Sequence, residues 1–306
     1  MPSPRIAPRD LALILAVVAM WGFSFVPIKI GLEEIPPFAF AALRFLFAAV
    51  PLVLFVAPPR MPAMLVIAYG LAIGVFQFGL LFLGMRLGMP AGLSSLVIQL
   101  QAFFTIGLGI AVLGDRLHGE NVVGAIVAGL GVALLALHRI RLGADSTLTG
   151  LALVIVAAMA WAVGNIVAKH AARKYRAQML GLVVWSSLAP PLPLLVASYA
   201  FEGGPAVWRA LASASALAWG CAVFLAYFAT IFGFASWARM LHRYPTGLVA
   251  PFALLIPVSG LASGAMFLGE SLAPLQMAGV GLVLAGLGVN VYGPRMRGWL
   301  ARALPG

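Results

Sequence analysis

LALILAVVAMWGFSFVPIK, residues 11–29, returns as LALVIVAAMAWAVGNIVAK, residues 151–169. Leu-Ala-Leu, Trp21 and Lys29 of the first stretch align with Leu-Ala-Leu, Trp161 and Lys169 of the second. Five identities between two apolar segments are weak evidence alone, but the ends of the two halves repeat more sharply. Leu113-Gly114-Asp115-x-Leu117 matches Leu268-Gly269-Glu270-x-Leu272, and Ala128-Gly129-Leu130-Gly131-Val132 matches Ala285-Gly286-Leu287-Gly288-Val289. Each copy of the opening stretch is long enough to cross hydrocarbon as a helix, which takes about 20 apolar residues. The chain therefore reads as a duplicated membrane unit, a build common among transporters.

Composition agrees. A chain of 306 residues that is 63% hydrophobic and 9% charged, with mean hydropathy +1.08, has more apolar surface than a water-soluble core can hide. Backbone groups in hydrocarbon must be bonded internally, so the choices are a helix bundle or a closed barrel, and runs far longer than alternating strands select helices. The net charge of +11 sits in bases between apolar runs, where topology accounts for it, and no nucleic-acid partner is expected. Cys221 is the only cysteine, which excludes an intrachain disulfide and a cysteine metal cluster. Arg5 and Arg9 before the first apolar run resemble a signal-peptide start, but the counterpart at Leu151 argues for a retained span.

Apolar runs bounded by charge, Pro or Gly predict ten helices, near 10–31, 36–57, 62–85, 90–114, 119–138, 149–171, 177–200, 215–241, 246–269 and 273–292. The expected fold is thus an all-α integral membrane protein of two five-helix repeats, 1–141 and 146–294, followed by a short basic tail at 295–306. Ten spans put both termini on one side. That side holds thirteen Lys and Arg, including Arg5, Arg60, Arg173, Lys174, Arg243 and Arg297, against five on the other: Lys29, Arg86, Arg139, Arg141 and Arg209. The bias predicts cytoplasmic termini. An odd number of spans per half makes the two copies enter the membrane in opposite senses, an inverted repeat able to expose one central site to each side in turn.

The duplicated unit closing on Leu-Gly-Asp/Glu-x-Leu and Ala-Gly-Leu-Gly-Val, with Trp-Gly early in the first span (Met20-Trp21-Gly22-Phe23), resembles the EamA branch of the drug/metabolite transporter superfamily over nearly the whole chain. The overall sequence also looks similar to the YddG-type aromatic amino acid exporters. The resemblance implies a ten-span carrier of the bacterial inner membrane that exports amino acids or related metabolites, without a cofactor. Its motifs are structural and do not name a substrate.

Site candidates are the polar and aromatic side chains inside spans, because such groups are costly in lipid and face other helices or a wet cavity. Gln99 shares a face of the fourth span with Ser95, with Gln101 on a neighbouring face, and Gln77 sits deep in the third. For each Gln the alternative to a cavity role is an interhelical hydrogen bond. Trp21 and Ser24 share a face of the first span, and Trp161 and Asn165 one of the sixth, where stacking on an aromatic substrate competes with packing. Tyr227 with Thr230, and Phe78 with Phe82, complete the candidate substrate-binding set. Arg44 is the one charge clearly inside a span; it either pairs with Glu33 or Glu34 or binds a substrate carboxylate. Lys29 and Lys169 fall near span ends and suit gating or anchoring. Pro27, Pro251 and Pro257 remove backbone donors within spans and mark candidate hinges.

No Asp or Glu lies in mid-span, which argues against organic cations, and mid-membrane bases are not clustered, which argues against phosphorylated substrates. His118, His138, His170 and His242 all fall at span ends, and no catalytic or metal-ligand spacing is present, so an enzyme is not expected. The expected function is an inner-membrane carrier exporting amino acids, aromatic or bulky apolar ones, by alternating access around a central neutral cavity. The alternative is export of another small metabolite or a drug-like amphiphile, with or without proton coupling. Beyond that small-molecule substrate the expected partners are membrane lipids, and the two fused halves suit a functional monomer.

Overall fold

Residues 6–114, 118–141, 145–176, 178–244 and 246–303 are described by the structure, a computed structural model. Ten helices are long and apolar enough to cross a membrane: α1 (Pro8–Glu34), α2 (Pro37–Leu54), α3 (Ala63–Arg86), α4 (Ala91–Leu113), α5 (Gly119–His138), α6 (Leu148–Tyr175), α7 (Met179–Phe201), α8 (Ala216–Met240), α9 (Pro251–Leu268) and α10 (Pro274–Gly293). Among the described residues there is no strand. The spans fall where the apolar runs predict them because, in lipid, only intrahelical bonding satisfies the backbone.

Helix ends are the exception, and carboxylates from distant parts of the chain satisfy several of them. Glu270 accepts from the backbone N–H groups of Ala91 (2.6 Å) and Gly92 (2.9 Å) at the start of α4. Glu202 does the same for Phe38 (2.7 Å) and Ala39 (3.4 Å) in α2, and Glu34 for Ser215 (2.6 Å) ahead of α8. The acid of the second Leu-Gly-Glu-x-Leu motif is therefore a helix cap; Asp115 of the first copy lies outside the described residues.

The packing has a consistent pattern. α5 packs along α10, α2 against α7 and α4 against α9, while α1 contacts α8 and α9, and α6 contacts α3 and α4. The α5–α10 seam is built on glycines: a Cβ added at Gly131 would lie 2.6 Å from the backbone oxygen of Gly279, and one at Gly279 would lie 2.9 Å from that of Gly131. Asn121 adds a 2.7 Å hydrogen bond to Asn290 across the same seam. At the end that carries the N-terminus, the Tyr244 hydroxyl donates to Asp10 (2.6 Å) and accepts from the N–H of Ala7 (3.1 Å), tying α1 to the α8–α9 connection.

Several helices leave regular α geometry at mid-depth. Leu71–Gly79 in α3 and Leu225–Phe232 in α8 are wound as wide π turns, and Ile98–Leu100 in α4 and Ala250–Leu254 beside α9 as tight 3-10 turns. α1 is interrupted at Ser24, three residues before Pro27. Departures of this kind collect at functional sites, because they re-aim side chains and free carbonyls.

Candidate functional site

These irregular turns surround a cavity of about 540 Å³ in the middle of the bundle. Its described wall comes from α1–α4 and α6–α9, while α5 and α10 contribute nothing to it. One end is closed: Ile28 and Leu81 in the wall are each 1% exposed, and behind them Phe82 and Met85 are completely buried. Towards the end bearing the N-terminus the wall continues to half-buried Ala168, Met179, Trp237 and Ala238, the last turns before the connections on that side.

Most of the predicted site residues meet here. Gln77, Gln99, Trp161, Asn165, Trp21, Ser24, Phe78 and Arg44 all line the cavity. Tyr227, Thr230 and Phe82 lie outside its wall. Tyr227 donates to the backbone oxygen of Val50 (3.2 Å), Thr230 is buried behind Arg44, and Phe82 packs in the core against Phe40 and Phe78. The i, i+3 spacing of Tyr227 and Thr230 shares a face only on a regular α-helix; the π winding from Leu225 to Phe232 turns the two apart. Lys29 and Lys169 also lie outside the wall, although Lys169 follows the lining Ala168. Pro27, Pro251 and Pro257 all fall at or beside irregular turns or close helix contacts: Pro251 is the second residue of the tight turn, and Pro257 is buried in α9.

Arg44 corrects the expectation of a neutral cavity. It is 3% exposed and remains cationic, as arginine does in proteins. Its guanidinium lies 3.7 Å from the centroid of the Phe78 ring, and it donates through Nε (3.2 Å) and Nη2 (3.0 Å) to Thr230 Oγ1. Glu33 and Glu34 do not reach it: among the described residues no carboxylate pairs with Arg44, and Glu34 is engaged at Ser215. The Gln77 amide has no protein hydrogen-bond partner among the described residues, and its Oε1 is fully buried. An unsatisfied buried polar group costs about 1–3 kcal/mol, and Gln77 itself lines the cavity, so turning its amide about the terminal torsion to meet water or a solute there would relieve that cost.

The remaining polar groups are more fully engaged. Asn165 Nδ2 donates to Gln101 Oε1 (2.6 Å) and Thr105 Oγ1 (3.1 Å), a cluster joining α6 to α4. Gln99 reaches the carbonyl of Ala253 at a long 3.4 Å. Trp21 donates to the carbonyl of Ala229 (2.8 Å) and sits 5.4 Å from the rings of both Phe234 and Trp237. The Trp161 indole N–H has no protein partner among the described residues. Sequence reasoning missed Tyr69, Met179, Phe234 and Trp237, all in the wall. Tyr69 had a faint signal, eight residues before Gln77 on α3, but the π turn between them hides their common face.

Comparison with known proteins places these features among transporters. The EamA-like transporter family matches over residues 9–137 and 148–292. Proteins named "Probable amino-acid metabolite efflux pump" from Salmonella typhimurium and from Escherichia coli are each 43% identical over 290 residues, 94% of this chain and 97% of theirs. A "Probable terminal-alkyne amino-acid exporter" from Streptantibioticus cattleyicolor is 29% identical over 286 residues, 90% of this chain and 91% of its own. A solved crystal structure, 19% identical, shares the fold with a TM-score of 0.63 over 97% of this chain and 98% of its own.

Proposed function

This chain belongs to the EamA-like transporter family, and we propose that it exports amino acids, aromatic or bulky apolar ones, across the bacterial inner membrane by alternating access. The observation that carries this reading is the mid-bundle cavity of about 540 Å³, closed at one end, with a buried cation, an unpartnered amide and indole surface in one wall. A carboxylate placed against Arg44 gains charge-assisted hydrogen bonds in a setting where water competes poorly. Gln77 offers an acceptor and donors beside it, and Trp161 an aromatic face for the side chain. The names of the relatives support an amino-acid-type substrate.

Alternation is supported by the packing. Exchanging α1 with α6, α2 with α7, α3 with α8, α4 with α9 and α5 with α10 maps the main helix contacts onto one another. In the register that pairs Leu113 with Leu268, Phe82 in the closed end corresponds to Trp237 in the half-buried end. Closing around Trp237 while opening around Phe82 would present the same cavity to the other side. With both termini cytoplasmic, the structure is the inward-facing form, and each chain works as a monomer.

Purified protein in liposomes, loaded with an unlabelled amino acid and offered its radiolabelled form, tests the function by counterflow. Phenylalanine, tryptophan and leucine are expected to accumulate above protein-free liposomes, and small polar amino acids less. Counterflow of none of the twenty amino acids would overturn the reading and leave another metabolite as the cargo.

A further inference from the structure

The charge balance of the cavity narrows the chemistry of its solute. Arg44 brings one positive charge into the wall, and no Asp or Glu lines it among the described residues. A zwitterionic amino acid entering this site finds a full partner for its carboxylate. For its ammonium it finds neutral acceptors alone, the side chains of Gln77, Gln99, Asn165 and Ser24, and aromatic faces such as Trp161 and Tyr69. Stripping an ammonium of water is expensive, and neutral acceptors return only part of that. An amide N–H at the same position makes the same hydrogen bond to Gln77 Oε1 without that desolvation. A ligand with a blocked carboxylate and a free ammonium keeps at most a neutral hydrogen bond from Arg44, loses the charge pairing, and has its ammonium repelled.

We propose that this site selects solutes by a free carboxylate next to an N–H donor and has no requirement for positive charge, so that N-acylated amino acids, as monoanions, are substrates alongside free amino acids, while carboxamides are rejected. The inference rests on reading the cavity as an amino-acid site, and it specifies the head group that the site recognises. Arg44 supplies the carboxylate contact through the N–H groups that Thr230 leaves free. Phe78 beneath the guanidinium and Thr230 beside it hold the plane in place, so the bidentate geometry is preformed. Gln77, its amide turned to the cavity, reads the N–H.

The test uses the full chain and four head groups on the side chains of alanine, leucine and phenylalanine: the amino acid, its N-acetyl derivative, its carboxamide, and the carboxylate lacking any nitrogen. Binding is read from ligand-induced shifts in thermal unfolding and transport from counterflow. The N-acetyl compounds are expected to bind at least as tightly as the amino acids, and the carboxamides roughly 10- to 100-fold more weakly, the span expected for a lost charged hydrogen bond. Arg44→Lys should keep the preference for acid over carboxamide, whereas Arg44→Gln should abolish it. Gln77→Met should weaken the N–H-bearing ligands and leave the nitrogen-free carboxylate unchanged. N-acetyl binding more than tenfold weaker than that of the amino acid, or carboxamides binding as well as acids, overturns the inference while the exporter reading stands. The expected ranking in binding with no counterflow of any compound overturns the exporter reading and leaves the inference. Binding of no compound overturns both.

Discussion

Trp21 and Trp161 occupy matching places in the two copies of the opening stretch, yet their surroundings differ. The Trp21 indole donates to the Ala229 carbonyl and is wedged among Phe234 and Trp237, so it joins α1 to α8. Trp161 lines the same cavity, and among the described residues its N–H has no protein partner, so we propose that its ring and donor serve a solute. Trp161→Ala should therefore reduce transport of phenylalanine and tryptophan relative to alanine by roughly two- to twelvefold, the range for an aromatic pair worth about 0.5–1.5 kcal/mol beyond area burial. Competition counterflow on protein matched for membrane abundance measures the ratio, and an unchanged ratio would reduce Trp161 to a packing residue. Arg44 teaches a different lesson about what a sequence can disclose. A lone charge in an apolar run announces itself, but its partner is Thr230, 186 residues away, and the nearby Glu33 and Glu34 suggested by the sequence do not pair with it.

At the scale of helices, the legible part is what hydrophobic length dictates: all ten spans sit where the apolar runs place them. The local winding was not legible. The π turns at Leu71–Gly79 and Leu225–Phe232 follow from tertiary packing, with no residue signature of their own, and they scatter side chains that ideal spacing would put together. Gln77 and Phe78 reach the cavity from inside the α3 turn, while Phe82, beyond that turn in regular α-helix, and Tyr227, inside the α8 turn, do not. The Gly-rich repeat at Ala128 and Ala285, by contrast, finds a direct explanation in the α5–α10 seam, where backbones meet too closely for side chains. Gly131→Leu should then lower thermal stability and membrane abundance, since overpacking costs about 1–3 kcal/mol and the facing atom is backbone. Gly129, two residues earlier, has nothing within 4 Å of an added Cβ, so Gly129→Leu is the matched control and should be silent. Equal behaviour of the two variants in fluorescence-detected size exclusion during heating would contradict the seam.

The whole molecule combines ten membrane helices with a cavity that is closed at one end only. Ile28, Leu81, Phe82 and Met85 seal the end away from the N-terminus, and Met179, Trp237 and Ala238 are half-buried towards the other, so the side on which this conformation receives a solute turns on which compartment the latter faces. We propose, from the distribution of Lys and Arg, that it faces the cytoplasm. Cys221, the only cysteine, can be replaced by Ser to give a background for single-cysteine labelling. In intact cells an impermeant maleimide should label Arg209→Cys in the short exposed helix Pro205–Ser213 and leave Lys174→Cys unmodified, while inverted membrane vesicles should reverse the pattern. Ala238→Cys should react from the cytoplasmic side only, and saturating substrate should slow its reaction as the cavity fills. Reaction of Lys174→Cys from outside would turn the molecule over in the membrane. The half-buried end of the cavity would then face outward, and the same architecture would have to be read as waiting for a solute from the periplasm.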